Sequence, residues 1–474
     1  MGNPKAFMTI PRVDAGNRPV YERIDDFSEV EQTLNDADRQ QQASRCMDCG
    51  IPFCQWACPV NNTMPEFQDA LYKGNWEEAV EVLSLTNNFP EFTGRICPAP
   101  CEKGCVLNIH EEPVTIRENE CATIEKAFNL GYIKPNPPQN RTGKKVAVIG
   151  SGPAGMACAD LLNKWGHSVT LFERDEAVGG ILRFGIPDFK LSKSVIDRRM
   201  DILTAEGLIV KTGVNVGVDV ESKVLLKEFD TICIAIGAMK PRDLRIEGRE
   251  LKGIYYAMDF LKQQNRVVQG TYFPDDQRIS AKDKKVLVIG GGDTGSDCVG
   301  TSNRQKAKSI TQIEIMPKPS VKRGLDNPWP FWPTILKSST SHEEGCDRMW
   351  SLTTKRFMGE NGQLKQVEIA EVKWEKDSNG RMVMLDVPNS EKLIDADMVL
   401  LAMGFVHPYH EGLLNDIGIE FDQKGNIKAN SDKATSVKRV FAAGDAVRGP
   451  SLVVHAIAEG RKMAQNVHKY LLKI

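Results

Sequence analysis

Two copies of one glycine pattern, 140 residues apart, constrain this chain more than any other feature. The first opens on the apolar run Lys145-Val-Ala-Val-Ile149 and continues as Gly150-Ser-Gly152-Pro153-Ala154-Gly155. A helical stretch then runs through Leu162, and a second apolar run, Val169 to Phe172, ends at Glu173. Short apolar runs bounded by glycine suit strands buried on both faces of a parallel sheet. Each glycine has its own role at this spacing. Gly150 permits a tight turn, Gly152 lets the backbone approach a pyrophosphate, and Gly155 allows close packing of helix on strand. Glu173 is placed to accept from ribose hydroxyls. The second copy reads Lys285-Val-Leu-Val-Ile289, then Gly290-Gly-Gly292-Asp293-Thr294-Gly295, then Ile310 to Glu314. Two bound dinucleotides are therefore expected.

One chain with two such folds is the arrangement that brings a flavin and a nicotinamide nucleotide face to face for hydride transfer. Near the end of the chain, Val440-Phe-Ala-Ala-Gly444-Asp445 repeats a strand followed by Gly-Asp, a form flavoproteins use to hold the ribityl and phosphate part of FAD. The flavin domain is thus predicted to be split by the nicotinamide one.

Cysteine usage sets the front of the chain apart. Eight of twelve cysteines lie between Cys46 and Cys121. Cys46, Cys49, Cys54 and Cys58, followed by Pro59, form a C-x2-C-x4-C-x3-C-P run close to the bacterial ferredoxin pattern, in which the cysteine before proline ligates the other of two clusters. Cys97, Cys101 and Cys105 supply three more thiolates, leaving the set one short of two four-ligand groups. Cys121 and the adjacent Glu120 are both available for the eighth place. Zinc ribbons favour two separated C-x2-C pairs, whereas the first run has only one. Helical periodicity over Asp36 to Ser44 and Pro65 to Leu83 predicts a mostly helical domain, with Leu71, Trp76, Ala79, Val80 and Leu83 on an apolar face. The proline-rich stretch Lys134 to Gly143 reads as a connector.

Composition excludes several classes. Lys plus Arg is 61 against Asp plus Glu at 63, for a net charge of -2, which leaves no basic excess for a phosphate backbone. The longest apolar stretches, such as Met398 to Phe405, fall far short of the roughly 20 residues a bilayer needs. The first residues lack the apolar core of a signal peptide, so a cytoplasmic chain without nucleic-acid or membrane partners is expected.

Taken together, the cysteine-rich front, Gly179-Gly-Ile-Leu-Arg-Phe-Gly-Ile-Pro187, the two fingerprints, Ala235-Ile-Gly237, Ala402-Met-Gly404 and Ala443-Gly-Asp445 resemble the small (beta) subunit family of bacterial glutamate synthases. The wider group of FAD and iron–sulfur reductases also includes the front part of dihydropyrimidine dehydrogenase and the large subunit of NADH-dependent ferredoxin:NADP reductase. The resemblance covers essentially the whole chain. It implies an α/β fold with two Rossmann-like domains of glutathione-reductase type, the FAD domain discontinuous, behind a mostly helical iron–sulfur domain. The boundaries expected are 1–143 for the iron–sulfur domain and linker, 144–250 and 405–474 for the FAD domain, and 251–404 for the NAD(P)H domain.

The resemblance further implies one [4Fe–4S] cluster on Cys46, Cys49, Cys54 and Cys105, and a second on Cys58, Cys97 and Cys101 completed by Glu120. It places Gly150, Gly152, Gly155, Glu173, Gly180, Arg183 and Asp445 on FAD, and Gly290, Gly292, Asp293, Thr294 and Gly295 on the nicotinamide nucleotide. The coenzyme expected is NADPH. Glu314 would itself favour NADH, while Lys318, Lys322 and Arg323 supply compensating cations for a 2′-phosphate. Hydride transfer between stacked rings needs no protein nucleophile, and no catalytic residue is expected. The implied role is electron input to a large subunit carrying FMN, which makes glutamate from glutamine and 2-oxoglutarate, within a hetero-oligomer. The alternative is the reductase subunit of another complex, one that reduces ferredoxin or a pyrimidine. His455 is read equally as a residue near the flavin ring or as a core histidine, with no proton-transfer role, and the aromatic segment Asn327 to Pro333 as loop packing rather than a partner surface.

Overall fold

The computed structural model describes residue 3 and residues 5–473. Two five-stranded parallel sheets carry the two glycine patterns. In the first, the strands lie in the order Val440–Ala442, Thr231–Ile234, Lys145–Ile149, Ser168–Phe172, Ile209–Lys211. In the second the order is Ile254–Tyr256, Met398–Leu401, Lys285–Ile289, Ser309–Glu314, Asp347–Trp350. The strand that leads into each glycine loop is central, and Val146, Ala147 and Val148 are fully buried, as a sheet covered on both faces requires. The split predicted for the first domain is real: its edge strand, Val440–Ala442, arrives from the far side of the second domain.

The two crossings between the domains run side by side. Arg242 N–H donates to Gly404 O at 3.0 Å, and Val406 N–H donates to Lys240 O at 2.8 Å. The sequence reading did not anticipate a third sheet, antiparallel, built from Leu352–Glu360, Gln363–Lys376, Met382–Asp386 and Lys392–Asp395. Its inner residues Phe357, Leu364, Val367 and Ile369 close one face of the second parallel sheet over Leu287, Ile289 and Ile313.

The front of the chain is helical. Asn35 caps Asp36–Ser44 by accepting from Asp38 N–H at 2.9 Å. The periodic stretch 65–83 divides into Met64–Tyr72 and Trp76–Thr86 at Gly74, whose φ of +74° a helix cannot continue through. Leu71, Ala79, Val80 and Leu83 are buried as expected, and Trp76 is half-buried. Two further helices, Pro90–Ile96 and Ile116–Asn129, pack against them. Pro90–Ile96 is tied to helix Lys193–Ala205 of the first nucleotide domain by a buried ion pair, Arg199 to Glu91, at 2.5 and 3.0 Å. Ahead of the helices, residues 16–32 fold into an arm closed by Arg18 N–H to Val30 O at 2.9 Å and Gln32 N–H to Gly16 O at 3.0 Å. The arm lies across both nucleotide domains.

Candidate functional site

A cavity of about 2870 Å³ lies where the three bodies meet, and both glycine loops open into it. The first loop has the construction its spacing predicts. Gly150 sits at φ +98°, and a Cβ there would stand 2.4 Å from Ala235 O. A Cβ on Gly155 would stand 1.8 Å from Gly150 O, so helix Pro153–Lys164 can approach the turn only without a side chain. Gly152 has open space where its Cβ would be. Pro153 and Ala154 begin the helix and line the cavity, and Pro153, having no N–H, costs the helix nothing at this position. The helix N-terminus and its free amides therefore face a space that fits a pyrophosphate.

Glu173 lines the cavity beside this loop, and its Oε2 accepts from Ser151 N–H at 3.0 Å and Ser151 Oγ at 2.5 Å. Gly180, Gly444 and Asp445 complete the same wall. Asp445 accepts from Ser451 Oγ at 2.6 Å, and burial raises its carboxyl above the ordinary range.

The second loop repeats the construction. Cβ atoms on Gly290 and Gly295 would lie 2.2 Å from Ala402 O and from Gly290 O respectively, and Gly292 again faces open space. Asp293 and Thr294 line the cavity. Glu314 plays the part of Glu173, accepting from Gly291 N–H at 2.6 Å and Met316 N–H at 3.0 Å.

Three expected cofactor contacts are not brought to the cavity wall. Arg183 is buried and spends its guanidinium on Val178 O, Gln269 and Asp197. It joins two parts of the first nucleotide domain to a helix of the second. Arg323 donates to Phe331 O at 2.6 Å, in a loop whose prolines cannot satisfy each other's carbonyls. Lys318 is exposed, 4.9 Å from the ring of Trp350, the strand neighbour of Glu314. The aromatic segment packs as expected: Trp329 lies 4.7 Å from Phe53, and Phe331 lies 6.0 Å from Trp56.

The cavity also contains groups the sequence reading missed. Lys190 pairs with Asp297 at 2.5 Å across the gap between the nucleotide domains. Asp297 follows Asp293 by four residues on one helix, a spacing that marks it as a neighbour. Ser296 Oγ and Ser339 Oγ are hydrogen-bonded, and His342 Nδ1 accepts from Ser339 N–H at 3.1 Å. The proton of His342 is therefore on Nε2, facing Gln312 Oε1 at 2.9 Å. Burial, with Arg348 and Lys190 nearby, lowers its pKa to about 4 and keeps the ring neutral. His455 lines the cavity, its basicity lowered by burial.

In the front domain the thiols fall into two electrostatic groups. Cys46, Cys49 and Cys54 are each raised by burial and then by the nearness of Cys105. Cys58 and Cys97 are each raised by burial and by Glu120, and Cys101 by burial and by Cys58. Cys58, Cys97, Cys101 and Glu120 also line one small internal void. Cys121 is turned away from it and lines the large cavity. Burial pushes Cys46 and Cys97 to about 12, so these thiols ionise only against a strong positive charge such as iron. Among the described residues no three His, Cys, Asp or Glu side chains converge on a single ion. The small void and the large cavity share Cys97, Ala99, Arg117 and Val454 as a common wall.

Fold and site together define a two-nucleotide oxidoreductase with an iron–sulfur front. Residues 144–460 match the pyridine nucleotide-disulphide oxidoreductase family, and residues 23–131 match dihydropyrimidine dehydrogenase domain II, 4Fe-4S cluster. FprA from Mycobacterium tuberculosis, solved in complex with NADPH, shares this fold at a TM-score of 0.55 and 16% identity, over 70% of this chain and 85% of its own. The glutamate synthase [NADPH] small chain of Mycobacterium tuberculosis is 48% identical over 96% of this chain and 93% of its own length. The glutamate synthase [NADH] of Saccharomyces cerevisiae is 43% identical over 99% of this chain, which corresponds to 22% of that longer protein. The chain belongs to the glutamate synthase small-chain family.

Proposed function

We propose that the chain is the electron-input subunit of a glutamate synthase: it takes hydride from NADPH onto FAD and passes electrons to a large subunit that carries FMN and makes glutamate from glutamine and 2-oxoglutarate. It acts in the cytoplasm, in a hetero-oligomer with that subunit. When bound, FAD accepts a two-electron hydride and the [4Fe–4S] clusters carry single electrons onward.

The residues divide this work. The loop Gly150–Gly155 and the helix N-terminus behind it hold the FAD pyrophosphate, Glu173 its ribose, and Gly180, Gly444 and Asp445 the remainder of the molecule. The loop Gly290–Gly295 with Asp293 and Thr294 holds the NADPH pyrophosphate. Lys318 and Arg348, which flank Trp350 at 4.9 and 5.1 Å beside the Glu314 strand end but outside the cavity wall, would have to swing inward to meet a 2′-phosphate. Cys46, Cys49, Cys54 and Cys105 hold the outer cluster. Cys58, Cys97, Cys101 and Glu120 hold the inner one, and Glu120 is kept in place by Asn87, whose Nδ2 donates to it at 3.1 Å.

The observation that carries this reading is the wall of Cys97, Ala99, Arg117 and Val454, which lines both the void of the inner thiol group and the dinucleotide cavity. The test is anaerobic co-purification with the large subunit, followed by an assay of NADPH oxidation dependent on glutamine and 2-oxoglutarate. The chain alone is expected to reduce artificial acceptors with NADPH and to form no glutamate. Glutamate from the chain alone, or a complex with an unrelated redox partner, overturns the assignment.

A further inference from the structure

At one wall of the cavity, buried charge gathers where the arm meets the second nucleotide domain. Arg23, 2% exposed, donates from Nε to Glu344 Oε1 at 2.9 Å and from Nη2 to Thr340 O at 2.8 Å and Glu343 Oε2 at 3.1 Å. The side chain of Glu344 is fully buried and also accepts from Arg304 Nη1 at 2.6 Å and Nη2 at 3.1 Å. The guanidinium of Arg304 lies 3.8 Å from the ring centre of Phe189, a residue of the first nucleotide domain. Phe189 O in turn accepts from Val30 N–H of the arm at 3.0 Å.

The ring of Phe189 is keyed in place. A Cβ on Gly300 would stand 2.9 Å from its tip. Asp293, Asp297, Gly300 and Arg304 recur every three or four residues on helix Asp293–Arg304 and so share one face. That face receives Lys190 at Asp297, Phe189 at Gly300 and Glu344 at Arg304. It belongs to the helix whose N-terminus closes the second glycine loop.

We propose that the arm is a clamp, with Arg23, Phe189, Arg304 and Glu344 as positioning residues that fix the second glycine loop relative to the first. The domains are joined covalently by two adjacent crossings, a connection at which one domain can swing on the other. Ion pairs Lys262–Asp175 and Arg266–Glu176 bridge them on helix Ala257–Val268, and the clamp restrains the face that carries the second glycine loop. NADPH travels with its own helix, so a swing leaves its binding site intact but moves its reactive end away from the first domain. Hydride transfer needs near-contact of the reacting atoms, and a displacement of about 1 Å costs about a hundredfold. The clamp therefore governs the rate of transfer and not the affinity for the nucleotide. This inference rests on the proposed passage of hydride from NADPH to FAD.

The test uses the full chain carrying flavin and clusters, as wild type, Arg23→Ala, Arg23→Lys and Phe189→Leu. Rapid anaerobic mixing with NADPH separates the limiting rate of flavin bleaching from the apparent Kd. Arg23→Ala and Phe189→Leu are expected to lower the limiting rate by about ten- to a hundredfold with Kd little changed, and Arg23→Lys to recover part of the loss. A second readout needs no turnover. In hydrogen exchange without NADPH, peptides spanning 185–191, 297–304 and 340–344 should lose protection in both variants, while strands Lys145–Ile149 and Lys285–Ile289 keep theirs. An unchanged limiting rate with unchanged protection in Arg23→Ala overturns the clamp. If that variant loses its cofactors, Phe189→Leu decides on the same two criteria. Failure of NADPH to bleach the wild-type flavin would overturn the functional reading instead, and hydrogen exchange would still judge the clamp.

Discussion

Two glycines of one loop, three residues apart, should lose stability very differently under the same substitution. A methyl group on Gly155 would stand 1.8 Å from Gly150 O, where ordinary carbon contacts lie at about 3.5–4.0 Å. The obstacle is backbone, so helix Pro153–Lys164 must move away from the turn. Overpacking costs about 1–3 kcal/mol, and an overlap this deep against main chain belongs at the upper end. At about 3 kcal/mol the flavin-free chain should melt about 5–10 °C lower. The helix N-terminus retreats from the pyrophosphate, and FAD affinity should fall roughly a hundredfold, since each 1.4 kcal/mol is about tenfold. Gly152 has no atom within 4 Å of its Cβ position and an ordinary φ of −68°. Gly152→Ala should therefore leave the flavin-free chain within about 0.5 kcal/mol of wild type. Its methyl group occupies the space through which FAD approaches, so affinity should fall about tenfold or more. Thermal melts of flavin-free chain, repeated across an FAD titration, separate the two effects. A Gly152→Ala chain destabilised as much as Gly155→Ala, or one binding FAD like wild type, would refute the reasoning.

In the front domain, Cys58→Ala or Glu120→Gln should lower bound iron and alter the inner cluster's spectrum while Cys121→Ala leaves both unchanged; iron analysis and electron paramagnetic resonance of the three proteins check this. Glu91→Gln leaves Arg199 buried without its partner and should destabilise by about 3–5 kcal/mol, whereas the pair Glu91→Leu with Arg199→Met should recover most of it; comparative melts decide. His167 is fully buried, its Nε2 2.8 Å from His468 Nδ1, and burial followed by the charge of His468 lowers its pKa from 6.5 to about 4. The unfolded chain takes up that proton first, so stability should fall as pH drops from about 6.5 to 4, by up to about 3 kcal/mol at 1.36 kcal/mol per pKa unit. His167→Gln should flatten this part of the stability–pH curve, and an unchanged curve would discount the histidine pair.

The features legible in the sequence are those made by near neighbours in the chain. A tight turn at Gly150, close packing at Gly155 and the run from Cys46 to Cys58 are local constructions, so spacing alone encodes them. Long cations are different: the destinations of Arg183 and Arg323 depend on which carbonyls the fold leaves unsatisfied, and both settle on such groups away from the cavity. The arm is less legible still, because Arg23 and Glu344 stand 321 positions apart and neither lies in a pattern that announces its partner. The antiparallel sheet carries no glycine or cysteine pattern and shows in the sequence only as alternation along 363–376, so motifs pass over it. Glu120 and Cys121 are adjacent in sequence, and only the direction of the helix carrying them distinguishes the one facing the void.

The wall of Cys97, Ala99, Arg117 and Val454 also bears on how such a chain can be inherited. A break in the connector 134–143 would yield two pieces, each spanning one of the two matched families, and each with a fold of its own. Neither piece would own the wall, since three of its residues come from one side of the break and the fourth lies more than three hundred positions beyond it. Recombination that brought in either half from a distant relative would join surfaces shaped against other counterparts. The unit that selection can pass on intact is the whole chain.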